Sequence, residues 1–290
     1  MALAASELIL NADGSVYHLH LRPEQIANTI ITVGDPDRVL AVSKHFDRID
    51  TKVQQREFVT HTGELGGKRL SVISTGIGTD NIDIVINELD ALVNIDLSTR
   101  EIKERHTALE LIRIGTSGSM QADVSVDSFL ATTTALGMDG LLHFYEPSHT
   151  DAALDELQTA FTSFCQSRGI ALPITPYFAS ADSELLSRIG KGWIQGITMT
   201  CAGFYAPQCR ELRAKSRFKT FLDEVTNFDF QQRRLTNFEM ETAGIYGLAN
   251  RLGHRALSCN AILANRQTGT FSQQARETVN QLIETVLERI

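Results

Sequence analysis

Short apolar runs typical of β-strands alternate along this chain with helical segments that have one apolar face. The strand-like runs cover residues 29–33, 69–75, 111–115, 128–136 and 256–263. Apolar side chains recur at helical spacing in residues 81–93, 154–164 and 279–290. The last of these helices is expected to begin just after Ser272, a good N-cap residue. This alternation is typical of an α/β fold.

No internal repeat, low-complexity tract or Pro/Gly-rich linker divides the 290 residues. We therefore expect a single domain over residues 1–290, with a core drawn from the 42% of residues that are hydrophobic. Residues 1–15 are interpreted as a flexible N-terminal extension. The charge-dense residues 94–110 are interpreted as a surface insertion.

The charge pattern limits the classes of partner. A formal net charge of -8, without a basic run, argues against binding to nucleic acid. The N-terminus lacks the basic start of a signal peptide, and no apolar stretch is long enough to span a membrane. These features predict a cytoplasmic protein, in which a local basic pocket can still bind a small anion.

Glycine-bearing segments follow three of the strand-like runs, at residues 33–38 (VGDPDR), 74–81 (STGIGTDN) and 113–118 (RIGTSG). In open α/β sheets, ligands bind at the carboxyl ends of strands, where small residues let backbone N–H groups approach them. None of the segments matches the GxGxxG dinucleotide fingerprint or the GxxxxGK[ST] phosphate loop. Hydride transfer and nucleoside triphosphate hydrolysis therefore lose support.

Two arginines in these segments, Arg38 and Arg113, indicate an anion. Arg113 interrupts an apolar strand, where burial of its charge requires an anionic partner. That partner is either phosphate or the carboxylate of a structural ion pair. We favour phosphate because Thr116, Ser117 and Gly118 follow with hydroxyl and amide donors.

A further group of polar residues lies in NFEMETAGIYGLA, where Glu239, Met240 and Glu241 are expected to open a helix. The helix dipole by itself accounts for acidic residues in a first turn. Alternatively, a carboxylate at this position accepts hydrogen bonds from two vicinal hydroxyls of a sugar.

Together these motifs resemble those of the nucleoside phosphorylase family, and specifically its uridine phosphorylase branch. The matching segments are GDPDRV, REFVTHTGELGGKRLSVISTGIG, RIGTSG and NFEMETA, in the family's order. The match runs from about Val16 to the final helix. The resemblance implies a single-domain, three-layer α/β/α fold whose central mixed sheet is partly barrel-like.

The resemblance also implies roles for individual residues. Those implied in phosphate binding are Gly34, Arg38, Arg56, Arg113 and Thr116. Those implied in ribose binding are Thr116, Met240, Glu241 and His18. The histidine is expected to reach the ribose of a neighbouring subunit, and His20 is the alternative candidate.

Recognition of the base is implied by the segment GFYAPQCRELR, which is similar to the pattern of the pyrimidine branch. Phe204, Gln208 and Arg210 match that pattern, and Gly118 is also expected at the base. A glutamine amide can pair with uracil, and an arginine can stabilise the charge that builds on the departing base. The purine branch instead carries an aspartate after its late strand, where this chain has Asn265.

The implied reaction is the reversible phosphorolysis of uridine to uracil and ribose 1-phosphate, with Arg113, Gln208 and Arg210 as catalytic residues. Phosphate is a co-substrate and no cofactor is implied, but some relatives bind potassium between subunits through the glutamate that matches Glu57. Self-association is expected, as a dimer or as a hexamer of three dimers. The alternatives are a purine nucleoside phosphorylase, a nucleosidase that uses water, and a nucleoside-binding protein without activity.

Overall fold

The computed structural model describes residues 2–147 and 151–290 of the chain. The helices are α1 (Pro36–Ser43), α2 (Thr79–Asn94), α3 (Ala152–Ser167), α4 (Ser183–Ile189), α5 (Phe221–Val225), α6 (Thr242–Leu252) and α7 (Ala275–Arg289). Short 3₁₀ helices cover Pro23–Gln25, Leu141–Phe144 and Ala206–Gln208. The strands are β1 (Thr29–Val33), β2 (Arg48–Gln55), β3 (Phe58–Leu65), β4 (Lys68–Ser74), β5 (Ile95–Asp96), β6 (Glu101–Ile102), β7 (Glu110–Ser119), β8 (Phe129–Met138), β9 (Tyr177–Ser180), β10 (Ile194–Cys201), β11 (Asp229–Phe230), β12 (Arg233–Glu239), β13 (Arg255–Asn265) and β14 (Thr270–Phe271).

One large sheet has the strand order β11-β12-β10-β8-β13-β7-β1-β4-β3-β2. Strand β12 also pairs with β7, where Asn237 lies opposite Ser119 and Phe238 lies opposite Gly118. This pairing closes β7, β13, β8, β10 and β12 into a barrel. Parallel pairs such as β1 with β4 occur beside antiparallel pairs such as β8 with β13. The prediction of a mixed, partly barrel-like sheet is confirmed.

Helices cover the sheet through their apolar side chains. On one face, α2 and α6 bury Ile82 and Tyr246 against β1 and β4. On the other face, α1, α4 and α7 bury Val42 and Ile283 against β7 and β13. Helices α3 and α5 cover β10 and β12, with Phe161 in the contact. The predicted α/β/α arrangement is confirmed, and no helix in the described ranges is long and apolar enough to cross a membrane.

All five predicted strands are present, as β1, β4, β7, β8 and β13. Two predicted helix starts are wrong. Helix α7 begins at Ala275, and the Ser272 hydroxyl instead accepts a hydrogen bond from the N–H of Gln274 at 3.1 Å. Glu239 ends β12 rather than opening a helix, and its carboxylate accepts from the N–H of Thr242, the first residue of α6, at 2.9 Å.

Residues 94–110 leave the end of α2 and pass through a short hairpin of β5 and β6. Asn94 fastens this segment, because its side-chain amide donates to the Thr107 carbonyl at 3.1 Å and its oxygen accepts from the Thr107 N–H at 2.7 Å. The N-terminal segment contacts the same hairpin, where the N–H of Leu3 donates to the Arg100 carbonyl at 2.8 Å. The extension and the insertion therefore contact each other.

Candidate active site

A cavity of about 810 Å³ opens at the carboxyl ends of the central strands. A cavity of this volume suits a small organic ligand. The residues selected from the sequence that line it are Gly34, Arg38, Glu57, Arg113, Thr116, Gly118, Phe204, Gln208, Arg210, Met240 and Glu241. They come from the loop after β1 and the first turn of α1, from the turn between β2 and β3, from β7, from the segment after β10 and from the segment that follows β12. The sheet thus collects segments far apart in sequence at one edge, as open α/β sheets do.

Arg113 is an almost fully buried part of the cavity wall, with 6% of its surface exposed. Its Nη2 lies 2.6 Å from Glu241 Oε2 and 3.1 Å from Glu239 Oε2, and its Nη1 donates to Asn260 Oδ1 at 3.1 Å. Burial by itself lowers the pKa of Arg113, but the two carboxylates outweigh it and the pKa is raised. The structural ion pair considered from the sequence is therefore present, and the guanidinium lines the cavity as well.

Two neighbours of Arg113 explain how the strand accommodates it. A Cβ atom on Gly115 would lie 1.7 Å from Arg113 Nη1, so only glycine leaves room for the guanidinium to fold back over β7. Asn260, which sequence reasoning missed, supplies an acceptor from the adjacent strand β13. The sequence feature that could have pointed to Asn260 is its polar side chain inside the apolar run 256–263.

Arg38, in the first turn of α1, has no comparable partner. Its Nη1 lies 3.5 Å from the Ile114 carbonyl oxygen, and it forms no ion pair with a carboxylate of the described residues. Burial lowers the pKa of Arg38, and the nearby charge of Arg113 lowers it further, while Asp35 opposes the shift. Two guanidinium groups therefore face one cavity, and Arg38 is without an ion-pair partner among the described carboxylates, an arrangement that favours an anionic ligand.

Glu241 connects Arg113 to the glycine loop after β4. Its Oε1 accepts a hydrogen bond from the Gly78 N–H at 2.9 Å. Gly76 and Gly78 have φ angles of +69° and +97°, which other residues rarely adopt. Burial raises the pKa of the Glu241 carboxyl. The charge of Arg113 lowers that pKa and the charge of Glu239 raises it, and the net shift is upward. The hydrogen bonds from Gly78 and Arg113 hold the Glu241 carboxylate at the cavity wall.

The remaining part of the wall is aromatic and amide-bearing. The Arg210 guanidinium carbon lies 3.9 Å from the centre of the Phe204 ring, and Nη1 donates to the Phe204 carbonyl at 2.7 Å and to Gln208 Oε1. Burial lowers the pKa of Arg210, and the charge of Arg266 lowers it further. Phe271 of β14 also lines the cavity, and sequence reasoning missed it. A flat ring can lie against these aromatic side chains while polar atoms at its edge meet Gln208 and Arg210.

A family model described as the phosphorylase superfamily matches residues 28–288. The match covers nearly the whole chain and includes every segment that lines the cavity. The chain belongs to the phosphorylase superfamily.

Three members of the superfamily are similar to this chain over most of their length. A uridine phosphorylase of Thermococcus kodakarensis is 30% identical, with 90% of this chain and 81% of the relative covered. A DeoD-type purine nucleoside phosphorylase of Clostridium perfringens is 26% identical, with 93% and 97% covered. The crystal structure of a Trypanosoma brucei nucleoside phosphorylase that shows uridine phosphorylase activity has a TM-score of 0.83 at 26% identity, with 97% and 98% covered. The relatives of this chain thus include enzymes named for pyrimidine nucleosides and enzymes named for purine nucleosides.

Two regions expected at the site do not line the cavity in this phosphorylase chain. Arg56 is exposed in the turn between β2 and β3. Its φ angle is +54°, which is uncommon outside glycine. The neighbouring Glu57 does line the cavity. His18 Nδ1 lies 2.6 Å from Glu88 Oε1, and the Glu88 carboxylate also accepts the His18 N–H. His20 also lies outside the lining. Sequence reasoning missed Glu88, the residue of α2 that holds His18.

Glu57 is the residue at which the resemblance implies a monovalent cation. It offers one carboxylate at the cavity wall, beside the amide of Asn81. Oxygen ligands of this kind suit a hard cation, but such ions take six or more of them. A cation at Glu57 would therefore need further ligands from backbone carbonyls, water or a second chain.

A cluster of possible metal ligands lies elsewhere, where Asp90, His106 and His254 place one ligand atom each within 4.8 Å of one another. His254 Nδ1 accepts from the Leu109 N–H at 3.1 Å, so in the neutral ring the proton is on Nε2. His106 Nε2 donates to the Leu252 carbonyl at 2.8 Å. The hydrogen bond between His106 and Leu252 fastens residues 94–110 to the rest of the fold, and the second ring nitrogen of His254, Nε2, lies 3.2 Å from Asp90 Oδ1.

Proposed function

We propose that this phosphorylase is a uridine phosphorylase, which transfers ribose reversibly from uridine to inorganic phosphate and yields uracil and ribose 1-phosphate. The observation that carries the proposal is the guanidinium of Arg38, which lies in the cavity with Arg113 and forms no ion pair with a carboxylate of the described residues. A nucleosidase uses water and has no need of an anion site at this place. The relatives named as uridine phosphorylases support the same reaction.

The reaction requires no general base, because phosphate is already an anionic nucleophile. Arg38 and Arg113 would hold phosphate below the ribose, and Thr116 would add a hydroxyl donor. Glu241 would accept hydrogen bonds from the ribose hydroxyls and so orient the carbon of the glycosidic bond toward phosphate. When that bond breaks, the positive charge that builds on ribose is stabilised by the bound phosphate.

Gln208 and Arg210 would receive the departing base. Gln208 Oε1 accepts from Arg210, which leaves the Gln208 amide nitrogen to donate to a uracil carbonyl. Asn265, at the place of the purine branch's acid, donates to the backbone carbonyls of Gln121 and Val124 at 2.8 and 2.9 Å. An amide engaged in this way cannot protonate a purine, which favours uridine over inosine as the substrate.

The test is the release of uracil from uridine, followed by absorbance with and without inorganic phosphate, with inosine in parallel. We expect release from uridine that depends on phosphate and little release from inosine. Preferential cleavage of inosine would make the chain a purine nucleoside phosphorylase. Cleavage without phosphate would make it a nucleosidase, and binding of uridine without product would indicate a protein without activity.

The active site is proposed to be shared between chains. Arg56 and His18 have roles implied by the family resemblance but lie outside the cavity of their own chain. Arg56 is exposed at a hairpin tip, from which it can reach the cavity of a second copy. The assembly would then be a dimer or a trimer of dimers, and a potassium ion between chains at Glu57 is a further expectation. A cytoplasmic location also stays a prediction.

Complementation of two inactive variants checks the shared site. Arg113→Ala and Arg56→Ala should each be nearly inactive, whereas their co-expression should restore about one quarter of the wild-type activity. Half of randomly formed dimers are mixed, and each mixed dimer has one site with both arginines intact. The measurement is the rate of phosphorolysis by the purified mixture. If a mixture that is confirmed to contain mixed dimers recovers no activity, both arginines belong to the site of one chain.

Glu241→Gln should reduce the preference for uridine over 2′-deoxyuridine. A hydrogen bond to a charged acceptor contributes about 1.5–3 kcal/mol, so the ratio of the two kcat/KM values should fall about tenfold or more. A disturbance of Arg113 would lower kcat/KM for both substrates alike, so it cancels when the two values are divided. An unchanged ratio would show that Glu241 does not contact the 2′-hydroxyl.

A further inference from the structure

A groove of about 580 Å³ lies between α1 and α7 and adjoins the candidate active site. Asp35, Arg38 and Leu263 line both the groove and the main cavity. The two spaces therefore share Arg38 in their walls. The small side chains of Ala41 and Ala275 also line the groove.

The groove carries unpaired positive charge. Lys44 and Arg276 line it, are exposed, and form no ion pair with a carboxylate of the described residues. The carboxylates of Asp35 and Asp37 also line the groove, so the three cations Arg38, Lys44 and Arg276 exceed the two acids by one charge. Because the whole chain has a formal net charge of -8, its general field repels phosphate. Local cations are therefore needed to draw phosphate toward Arg38.

We propose that this groove is a second entrance, through which inorganic phosphate reaches Arg38 while a nucleoside occupies the main cavity. The proposal rests on the proposed phosphorolysis. Lys44 and Arg276 act as steering residues that do not touch the reacting atoms.

The positions of the subsites explain why a second entrance is useful. The proposed ribose contact Glu241 lies 2.6 Å from Arg113, so a bound ribose covers that arginine from the main cavity. A base at Phe204 and Gln208 fills the adjoining part of the same cavity. Arg38 remains open to the groove, so phosphate can still enter, or leave after an unproductive encounter, without release of the nucleoside.

Charge reversal tests the steering residues. In Lys44→Glu/Arg276→Glu, we expect kcat/KM for phosphate to fall about tenfold at low ionic strength, and the loss to shrink at high salt because screening shortens the range of the charges. The kcat/KM for uridine at saturating phosphate should stay within about twofold. The matched control is Lys191→Glu/Arg105→Glu, which changes the net charge equally at two exposed residues outside both spaces. Equal losses in both double variants, or no loss in either, would overturn the proposal.

A steric variant tests the entrance independently of charge. Ala275→Trp should obstruct the groove, and phosphorus NMR should then show slower exchange of inorganic phosphate with enzyme saturated by a carbon-linked uridine isomer, whose glycosidic bond resists cleavage. In the wild type, exchange should continue when the isomer is bound. If the isomer blocks exchange in the wild type, phosphate uses the main cavity and the proposal fails.

These outcomes separate the entrance from the activity. Phosphate exchange is measured without turnover, whereas the proposed function fails only if wild-type enzyme releases no uracil in the presence of phosphate. An active wild type with no phosphate exchange past the bound isomer would therefore overturn the groove and leave the phosphorylase assignment intact.

Discussion

Replacement of Arg113 by alanine should reduce phosphate-dependent release of uracil by about a hundredfold or more, because a preorganised cationic donor in a buried site contributes at least that much. Arg113 lines the cavity and is proposed to bind phosphate directly. The loss should be largest in kcat/KM for phosphate. Steady-state phosphorolysis with phosphate varied at saturating uridine is the measurement, and a variant with near-normal turnover would contradict the phosphate assignment.

The same substitution should also destabilise the fold, because it leaves the carboxylates of Glu239 and Glu241 buried without their partner. Removal of one member of a buried ion pair costs about 3–5 kcal/mol. Burial already raises the pKa of Glu241, and loss of Arg113 raises it further. A carboxyl whose pKa is raised in the folded state loses its contribution to stability as the pH rises through that pKa. The unfolding temperature of Arg113→Ala should therefore lie closer to that of the wild type near about pH 5 than near about pH 8.

Two further variants separate chemistry from folding. Arg113→Lys retains a charge for Glu239 and Glu241 but not the two-pronged donor, so its stability should recover more than its activity. Arg289→Ala removes an arginine whose Nη1 donates to the Ile189 carbonyl at 2.6 Å, outside the cavity. It should lower the unfolding temperature without a matching loss of turnover while the enzyme is folded.

Replacement of Arg210 by alanine should lower kcat for uridine by about a hundredfold, since this arginine is proposed to stabilise negative charge on the departing base. The substitution also removes the contact with the Phe204 ring and frees the oxygen of Gln208. Pre-steady-state measurement of uracil formation is preferred, because it reports bond breaking rather than product release. Arg213→Ala, at an exposed neighbour in the same loop, serves as the control and should retain most of the activity.

A change of leaving group distinguishes charge stabilisation from simple base binding. A uridine analogue with an electron-withdrawing fluorine on the base gives a more stable leaving anion, so it should depend less on Arg210. The ratio of wild-type to Arg210→Ala rates should therefore be smaller for the fluorinated substrate than for uridine. Equal ratios would indicate that Arg210 only helps to bind or position the base.

The local elements of the fold could be predicted from the sequence because their signals are local. The run 29–33 is β1, and the periodic apolar side chains of residues 81–93 belong to α2. Positions such as Arg38 and Arg113 could be selected because a charge at the end of, or inside, an apolar strand is costly without a partner. Helix starts were less well predicted, since at Glu239 a side-chain hydrogen bond to the N–H of Thr242, rather than propensity, fixes the boundary.

What the sequence by itself determined is the α/β class, the order of the elements and the identity of the charged and glycine residues at the strand ends. Only the tertiary structure decided how those residues combine. Arg113 meets Glu241, 128 residues later, because β12 closes the barrel against β7 and brings α6 to the cavity. The same packing leaves Arg38 without an ion pair to any carboxylate of the described residues, and it leaves Arg56 outside the cavity. Such pairings depend on which strands become neighbours, and that is set by burial of the whole core rather than by any local pattern.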